Sequence, residues 1–489
     1  MATRNNIVLA LASLGAIQPS SAETILGAYI FHRHGDRTAK STPPASLTDL
    51  GYSEVHAHGS YYNSRYVANS SEAHILGLGS EVVKLSQLAV SSPSDNVLQN
   101  SAAGWLQGLY PPVGGAANQT LRNGTVVEPP LNGYQLIPVS ITSTGSGSES
   151  SQWLQGSTDC QNAEVSSNNF FNSDIFKSYQ SSSLDLYQSL SPAVNATFTE
   201  DELNFKNAYT IWDLLNVALI HNSTDSNAAL ANVNTSTIHE LFLLANVHEW
   251  NLAYNSSDTV RAISGAVLAG QALEALNETI TSNGKSKLNV QFGAYATFLS
   301  YFGLAGVASG NPDFTGIPDY ASSVAWELVT NATVSSDGAF PPTSDISVRF
   351  LFNNGTSSSS YDLTAYPLFG GSSLEVPWDD FVTQTQKFAV TGQEQWCSVC
   401  GNTDSSCASN STSSGSSTTT GTTNSKGSGI SNVVAGVIGA MVTLGVVLGL
   451  EALVLLASGL RLVRKKTLAA AAAAGATSST SAENVGAEK

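Results

Sequence analysis

The chain has 489 residues, 37 acidic against 20 basic side chains and a formal net charge of −17, so nucleic acid, which needs a basic footprint, is excluded as a partner. Four cysteines among 489 residues exclude a small disulfide-stapled fold. The stretch richest in hydroxyl residues and glycine is confined to one place near the C-terminus.

In chain order, Arg4, the apolar run Ile7 to Ile17 and the small residues Ser20, Ser21 and Ala22 read as a signal peptide over 1–22, with Ser20 and Ala22 at the −3 and −1 positions. The apolar run is too short to cross a bilayer core, which needs about 20 residues. Residues 23–401 read as one large folded ectodomain, residues 402–430 as a Ser/Thr/Gly-rich stalk that cannot bury a core, and residues 431–460 as a single membrane-spanning helix. Arg461, Arg464, Lys465 and Lys466 follow the span and place 461–489 on the cytoplasmic side, the ectodomain being extracellular or lumenal, at the cell surface or in a vacuole. Glu451 interrupts the apolar run, and Gly445 and Gly449 stand four apart, the spacing that lets two such helices dimerise.

Eleven Asn-x-Ser/Thr triplets, at Asn69, Asn118, Asn123, Asn195, Asn222, Asn234, Asn255, Asn277, Asn331, Asn354 and Asn410, predict a glycosylated surface. Cys160, Cys397, Cys400 and Cys407 predict disulfides in an oxidising compartment, with three pairings open. Cys397 and Cys400 lack the second ligand pair that a zinc site requires.

Thr24 to Phe31 reads as a buried strand that runs into His32-Arg33-His34-Gly35-Asp36-Arg37. Leu241 to Trp250 and Val260 to Ile280 read as helices, the second with Ile263, Val267, Leu268, Leu273 and Leu276 on one face. Leu288 to Phe292 reads as a second buried strand and Thr297 to Val307 as the helix after it, so the fold class is α/β. Two histidines and two arginines within six residues, at the end of an apolar strand in an acidic protein, suit a phosphate: guanidinium offers paired donors, and neutral imidazole can attack phosphorus.

Arg33-His34-Gly35-Asp36-Arg37-Thr38 resembles the Arg-His-Gly-x-Arg-x-Pro signature of the histidine acid phosphatases, with Ala39 in place of the proline. Leu47-Thr48-Asp49-Leu50-Gly51 and Arg65-Tyr66 are similar to further landmarks of that family. Leu131 to Val139 and Gln395 to Cys400 are similar to fungal members. The resemblance implies a sheet flanked by helices with a smaller, mostly helical cap, and no cofactor or metal. It implies hydrolysis of a phosphorylated small molecule with His34 as nucleophile and Arg33 and Arg37 on the phosphate.

Three family positions depart from the pattern. Val97 stands where a further arginine is expected, and Ala294 and Tyr295 stand where a histidine and the aspartate that protonates the leaving group belong. Such a donor contributes about 10² to 10⁴ in rate, so the sequence leaves two readings: a phosphatase, or an impaired homologue that binds a phosphorylated ligand or serves as a surface glycoprotein. His248-Glu249, Asp36 and Tyr295 are the alternative proton donors, and Arg122 and Arg261 the alternative phosphate ligands.

Overall fold

The computed structural model describes residues 23–141, 159–222, 230, 233–334, 338–358, 360–403 and 407. The expected signal peptide, most of the stalk, the membrane helix and the tail lie outside them. Among the described residues no helix is long and apolar enough to cross a membrane.

The sheet is built on β1 (Thr24–Arg33), every residue of which after the first is buried. The elements that follow and position the site are α1 (Asp49–Tyr62), β2 (Leu88–Ser92), α2 (Asn96–Leu109), β3 (Ser140–Ile141), α3 (Gln161–Asn168), α4 (Ala208–His221), α5 (Thr235–Ala253), α6 (Ile263–Thr281), β4 (Leu288–Gly293) and α7 (Tyr295–Leu304). They continue with β5 (Ser323–Thr330), β6 (Ser347–Asn353), β7 (Thr364–Tyr366), β8 (Glu375–Pro377) and α8 (Gln393–Cys400). The strand order is β8-β6-β5-β1-β4-β2-β3, with β7 also on β6. β1 is parallel to β4 on one side and antiparallel to β5 on the other, so the sheet is mixed.

Because a strand's side chains alternate between faces, β1 feeds two cores. Leu26, Tyr29 and Phe31 pack with Leu268, Leu273 and Leu276 of α6 and Phe298 and Phe302 of α7. Ile25, Ala28 and Ile30 pack with Val55 and Tyr62 of α1 and Leu98 and Trp105 of α2. The expected single apolar face of α6 is divided: Ile263 and Val267 turn instead to Trp396 and Cys400. The helix is therefore covered on two sides.

A helical region between residues 159 and 253 has its own core of Phe170, Tyr187, Phe205, Ile211, Leu215 and Leu241. Its longest helix, α5, exceeds the expected Leu241–Trp250 because Asn234 caps it by accepting from the Thr237 amide at 2.9 Å. Two disulfides, Cys160–Cys400 and Cys397–Cys407, select one of the three open pairings, the first tying α3 to α8.

Candidate active site

The register Arg33↔Gly293 sets the C-terminal ends of two parallel strands side by side, the position where α/β sheets place their ligands. The loop after β1 starts with His34, which is fully buried. His34 Nδ1 lies 2.8 Å from the Gly35 carbonyl oxygen. A carbonyl only accepts, so Nδ1 carries the proton and Nε2 is the lone-pair nitrogen, the tautomer an imidazole nucleophile needs.

The loop is pressed against α1. A Cβ on Gly35 would stand 2.2 Å from the Gly51 carbonyl oxygen, and one on Gly51 would stand 2.0 Å from that of Asp36. Glycine at both positions is therefore a packing requirement, which explains the Leu47 to Gly51 landmark. The Gly35 amide donates to Ser101 Oγ of α2 at 3.3 Å, and the Asp36 amide to Glu54 Oε2 of α1 at 2.8 Å.

Arg37, fully buried, is held by the helical region. Its Nη2 lies 3.0 Å from Asp213 Oδ1 and donates to Tyr209 Oη at 3.0 Å. Its Nη1 donates to Asp213 Oδ2 at 3.2 Å and to the Thr38 carbonyl at 3.0 Å. The fork that would grip a phosphate is thus occupied by protein atoms at both ends. Asp213 is itself buried, and its Oδ2 also accepts the Lys40 amide at 2.8 Å. Tyr209, Asp213 and His221 lie on one face of α4, and His221 Nε2 reaches Asp36 Oδ1 at 2.6 Å. One helix therefore sets an acid on Arg37 and an imidazole on Asp36.

Arg33 is differently placed. Its guanidinium donates to the Pro318 carbonyl and lies over the rings of Tyr320, at 4.8 Å, and Tyr295, at 5.1 Å. It lines a cavity of about 540 Å³ together with Glu54, Trp212, His239, Asp319 and Tyr320. Burial, then the nearby charges of Asp36 and Asp319, push the Glu54 carboxyl up to about 7, against the pull of the Asp36 amide and Arg33.

Of the three departing positions, Ala294 is the residue before α7 and Tyr295 its first, immediately beyond the strand that pairs with β1. The Tyr295 hydroxyl donates to Glu249 Oε2 at 2.8 Å, and Glu249 Oε1 lies 2.7 Å from His248 Nδ1. The His248-Glu249 pair thus meets Tyr295 through Glu249, which accepts its hydrogen bond. Val97 is fully buried in the first turn of α2 and offers no donor. Arg122 is exposed in a separate hairpin, and Arg261 is bound to Ser166 and the Asn251 carbonyl, so neither stands in for an arginine at Val97.

Asp213, Tyr209, His221, Glu54 and Tyr320 escape sequence reasoning because no motif contains them. Asp213 had one signal: it is the only acidic residue in the otherwise apolar α4.

The family description "Histidine phosphatase superfamily (branch 2)" matches residues 42–353, and the chain belongs to that family. Among solved structures it is similar to the apo form of Hafnia alvei phytase, at 14% identity and a TM-score of 0.51 over 78% of this chain and 99% of that one. It is likewise similar to the phytase of Klebsiella sp. ASR1, at 11% identity and a TM-score of 0.51 over 75% and 96%. At such identities the likeness is one of fold. The comparison with curated proteins finds no match.

Proposed function

We propose that this chain is a catalytically impaired histidine phosphatase homologue, a membrane-tethered surface or lumenal glycoprotein whose own Asp213 takes the place of a substrate phosphate on Arg37. The ion pair of Arg37 and Asp213, with side chains 0% and 1% exposed, carries this reading. A phosphate brought to Arg37 places like charge beside that carboxylate. At about 4 Å and an effective dielectric constant near 20, each pair of unit charges costs about 4 kcal/mol, roughly a thousandfold in affinity. The second support is Ala294 and Tyr295, which leave the leaving group without the expected acid.

The test is hydrolysis of nitrophenyl and alkyl phosphates by the full chain made in a eukaryotic host, between pH 3 and 7, beside His34→Ala. The expected result is no His34-dependent turnover of alkyl phosphates, and tighter vanadate binding in Asp213→Asn than in wild type. Alkyl phosphate turnover that vanishes in His34→Ala overturns the reading.

A second reading rests on Glu54. It shares the cavity with Arg33, and a carboxyl titrating near 7 holds a proton at mildly acid pH, as a general acid must. In that case the chain is a phosphomonoester hydrolase working through phosphohistidine at His34, and turnover of alkyl phosphates requires both His34 and Glu54. Loss of that turnover in Glu54→Gln would establish it.

A further inference from the structure

Asn69, Asn118, Asn123, Asn195, Asn222, Asn234, Asn277 and Asn331 are exposed, whereas Asn255 and Asn354 are half-buried, and of these two Asn354 faces the site. It follows β6 and lines two cavities at once. One is the cavity of Arg33 and Glu54. The other, of about 610 Å³, is walled by Trp250, Phe302, Phe314, Phe352 and Tyr366 with the carboxamides of Asn246, Asn251 and Asn311, and Asp313 is the only charged residue in its lining. Both cavities also share Phe242, Ile317 and Pro318, so they adjoin with Asn354 at their junction.

The triplet Asn354-Gly355-Thr356 is held as a turn. The Gly355 amide donates to Asn353 Oδ1 at 2.8 Å, the Thr356 amide donates to the Tyr320 carbonyl at 3.0 Å, and Gly355 has φ +57°. Asn354 Oδ1 accepts the Asp319 amide at 3.0 Å. Attachment of a sugar replaces one hydrogen on Nδ2 and leaves Oδ1 an acceptor, so this bond and the turn are compatible with a glycosylated side chain. Aromatic faces interleaved with carboxamides are a lining suited to the C–H faces and hydroxyls of sugars.

We infer that an N-linked glycan on Asn354 lies along this groove, its first sugars against the aromatic wall, and closes the cavity that leads to Arg33. The glycan is a neutral occupant from the chain itself, so the inference needs only passage through a glycosylating compartment. It holds or fails whether or not His34 has chemistry.

The test uses the full chain made in a eukaryotic secretory host. Glycopeptide mass spectrometry reads occupancy at Asn354, and digestion with a peptide N-glycosidase is compared on native and denatured protein. The expected result is occupancy at Asn354, with release from native protein at least tenfold slower than at Asn277 and Asn331, and equal release after denaturation. Thr356→Ala, which removes the acceptor triplet and keeps Asn354, is expected to speed amide exchange in residues 311–320 several-fold; Thr356→Ser, which keeps the triplet, is expected to leave it unchanged. An unmodified Asn354, or a glycan released from native protein as fast as those on Asn277 and Asn331, overturns the inference. Because the digestion comparison is made on the unaltered chain, it decides the matter even if Thr356→Ala is not secreted.

Discussion

Two buried clusters in this molecule use the same three groups, an arginine, a carboxylate and a tyrosine hydroxyl, for different ends. In one, Glu327 of β5 accepts from Arg65 Nη2 at 2.6 Å and Tyr66 Oη at 2.7 Å and lies 3.3 Å from Arg349 Nε. In the other, Asp213 and Tyr209 of α4 enclose Arg37. The first joins the segment after α1 to the sheet and explains the Arg65-Tyr66 landmark as structural. The second has the same chemistry at the loop where the family resemblance places a phosphate. On the proposed reading, a retained arginine does not by itself mark a retained site, because its function is set by what fills its donors.

The largest expected effect separates the clusters by stability. Glu327→Gln leaves the half-buried Arg65 guanidinium without its carboxylate, Arg349 keeping Glu23, and breaking a buried pair costs at most about 3–5 kcal/mol. Urea unfolding is expected to show this loss equally with and without phosphate. Asp213→Asn is expected to show a comparable loss in anion-free buffer, because Arg37 is then an uncompensated buried charge. Here phosphate substitutes for the lost carboxylate: at a hundred times Kd it returns about 2.7 kcal/mol. A variant with the same urea midpoint in chloride and in phosphate would show that Asp213 occupies no anion site.

The next effect is one of pH. His32 Nδ1 donates to the Arg33 carbonyl at 2.5 Å, and His32 Nε2 lies 2.8 Å from His58 Nδ1, both rings being fully buried beneath the site. Burial pushes His32 down to about 3, while burial and then the charge of His32 push His58 well below the usual range. The folded state keeps these rings neutral whereas the unfolded chain protonates them near 6.5, so stability is complete above 6.5 and is lost as pH falls toward 3. The slope is about 1.4 kcal/mol per pH unit for each ring. Glu54, pushed up by burial, acts in the opposite sense: it stabilises below about 4.5 and loses that contribution as pH rises through 7. Urea midpoints between pH 7 and 4 are expected to fall in the wild type and to fall less in His58→Leu.

The strands that position the loop were legible because β1 is a nearly continuous apolar run, the signature of a strand covered on both faces, and β4 sets Leu288, Val290 and Phe292 at the two-residue period of a strand. The place of Ala294 and Tyr295 was legible for the same reason, since it needed only the point where β4 gives way to α7. The boundaries shifted where capping and pairing decided them: β1 runs on through His32 and Arg33, and α7 begins at Tyr295 and ends at Leu304. What sequence could not supply is contact at long separation. Asp213 lies 176 residues from Arg37, and His221 lies 185 from Asp36, on a helix whose own sequence does not say which loop it faces. The division of α6 between two cores was hidden likewise, because periodicity shows which residues are covered and not by what.

The smallest effect concerns Tyr295, whose ring lies against Arg33 while its hydroxyl donates a hydrogen bond to Glu249. Tyr295→Phe removes one hydrogen bond and keeps the ring, so the expected loss is about 1 kcal/mol, read as a small fall in urea midpoint. If the ring alone holds Arg33, vanadate affinity in an Asp213→Asn background is unchanged by the added Tyr295→Phe. A change of more than about threefold would mean that the chain from Tyr295 through Glu249 to His248 sets the position of Arg33, and that the anion site is governed by the helical region through both of its arginines rather than through Arg37 alone.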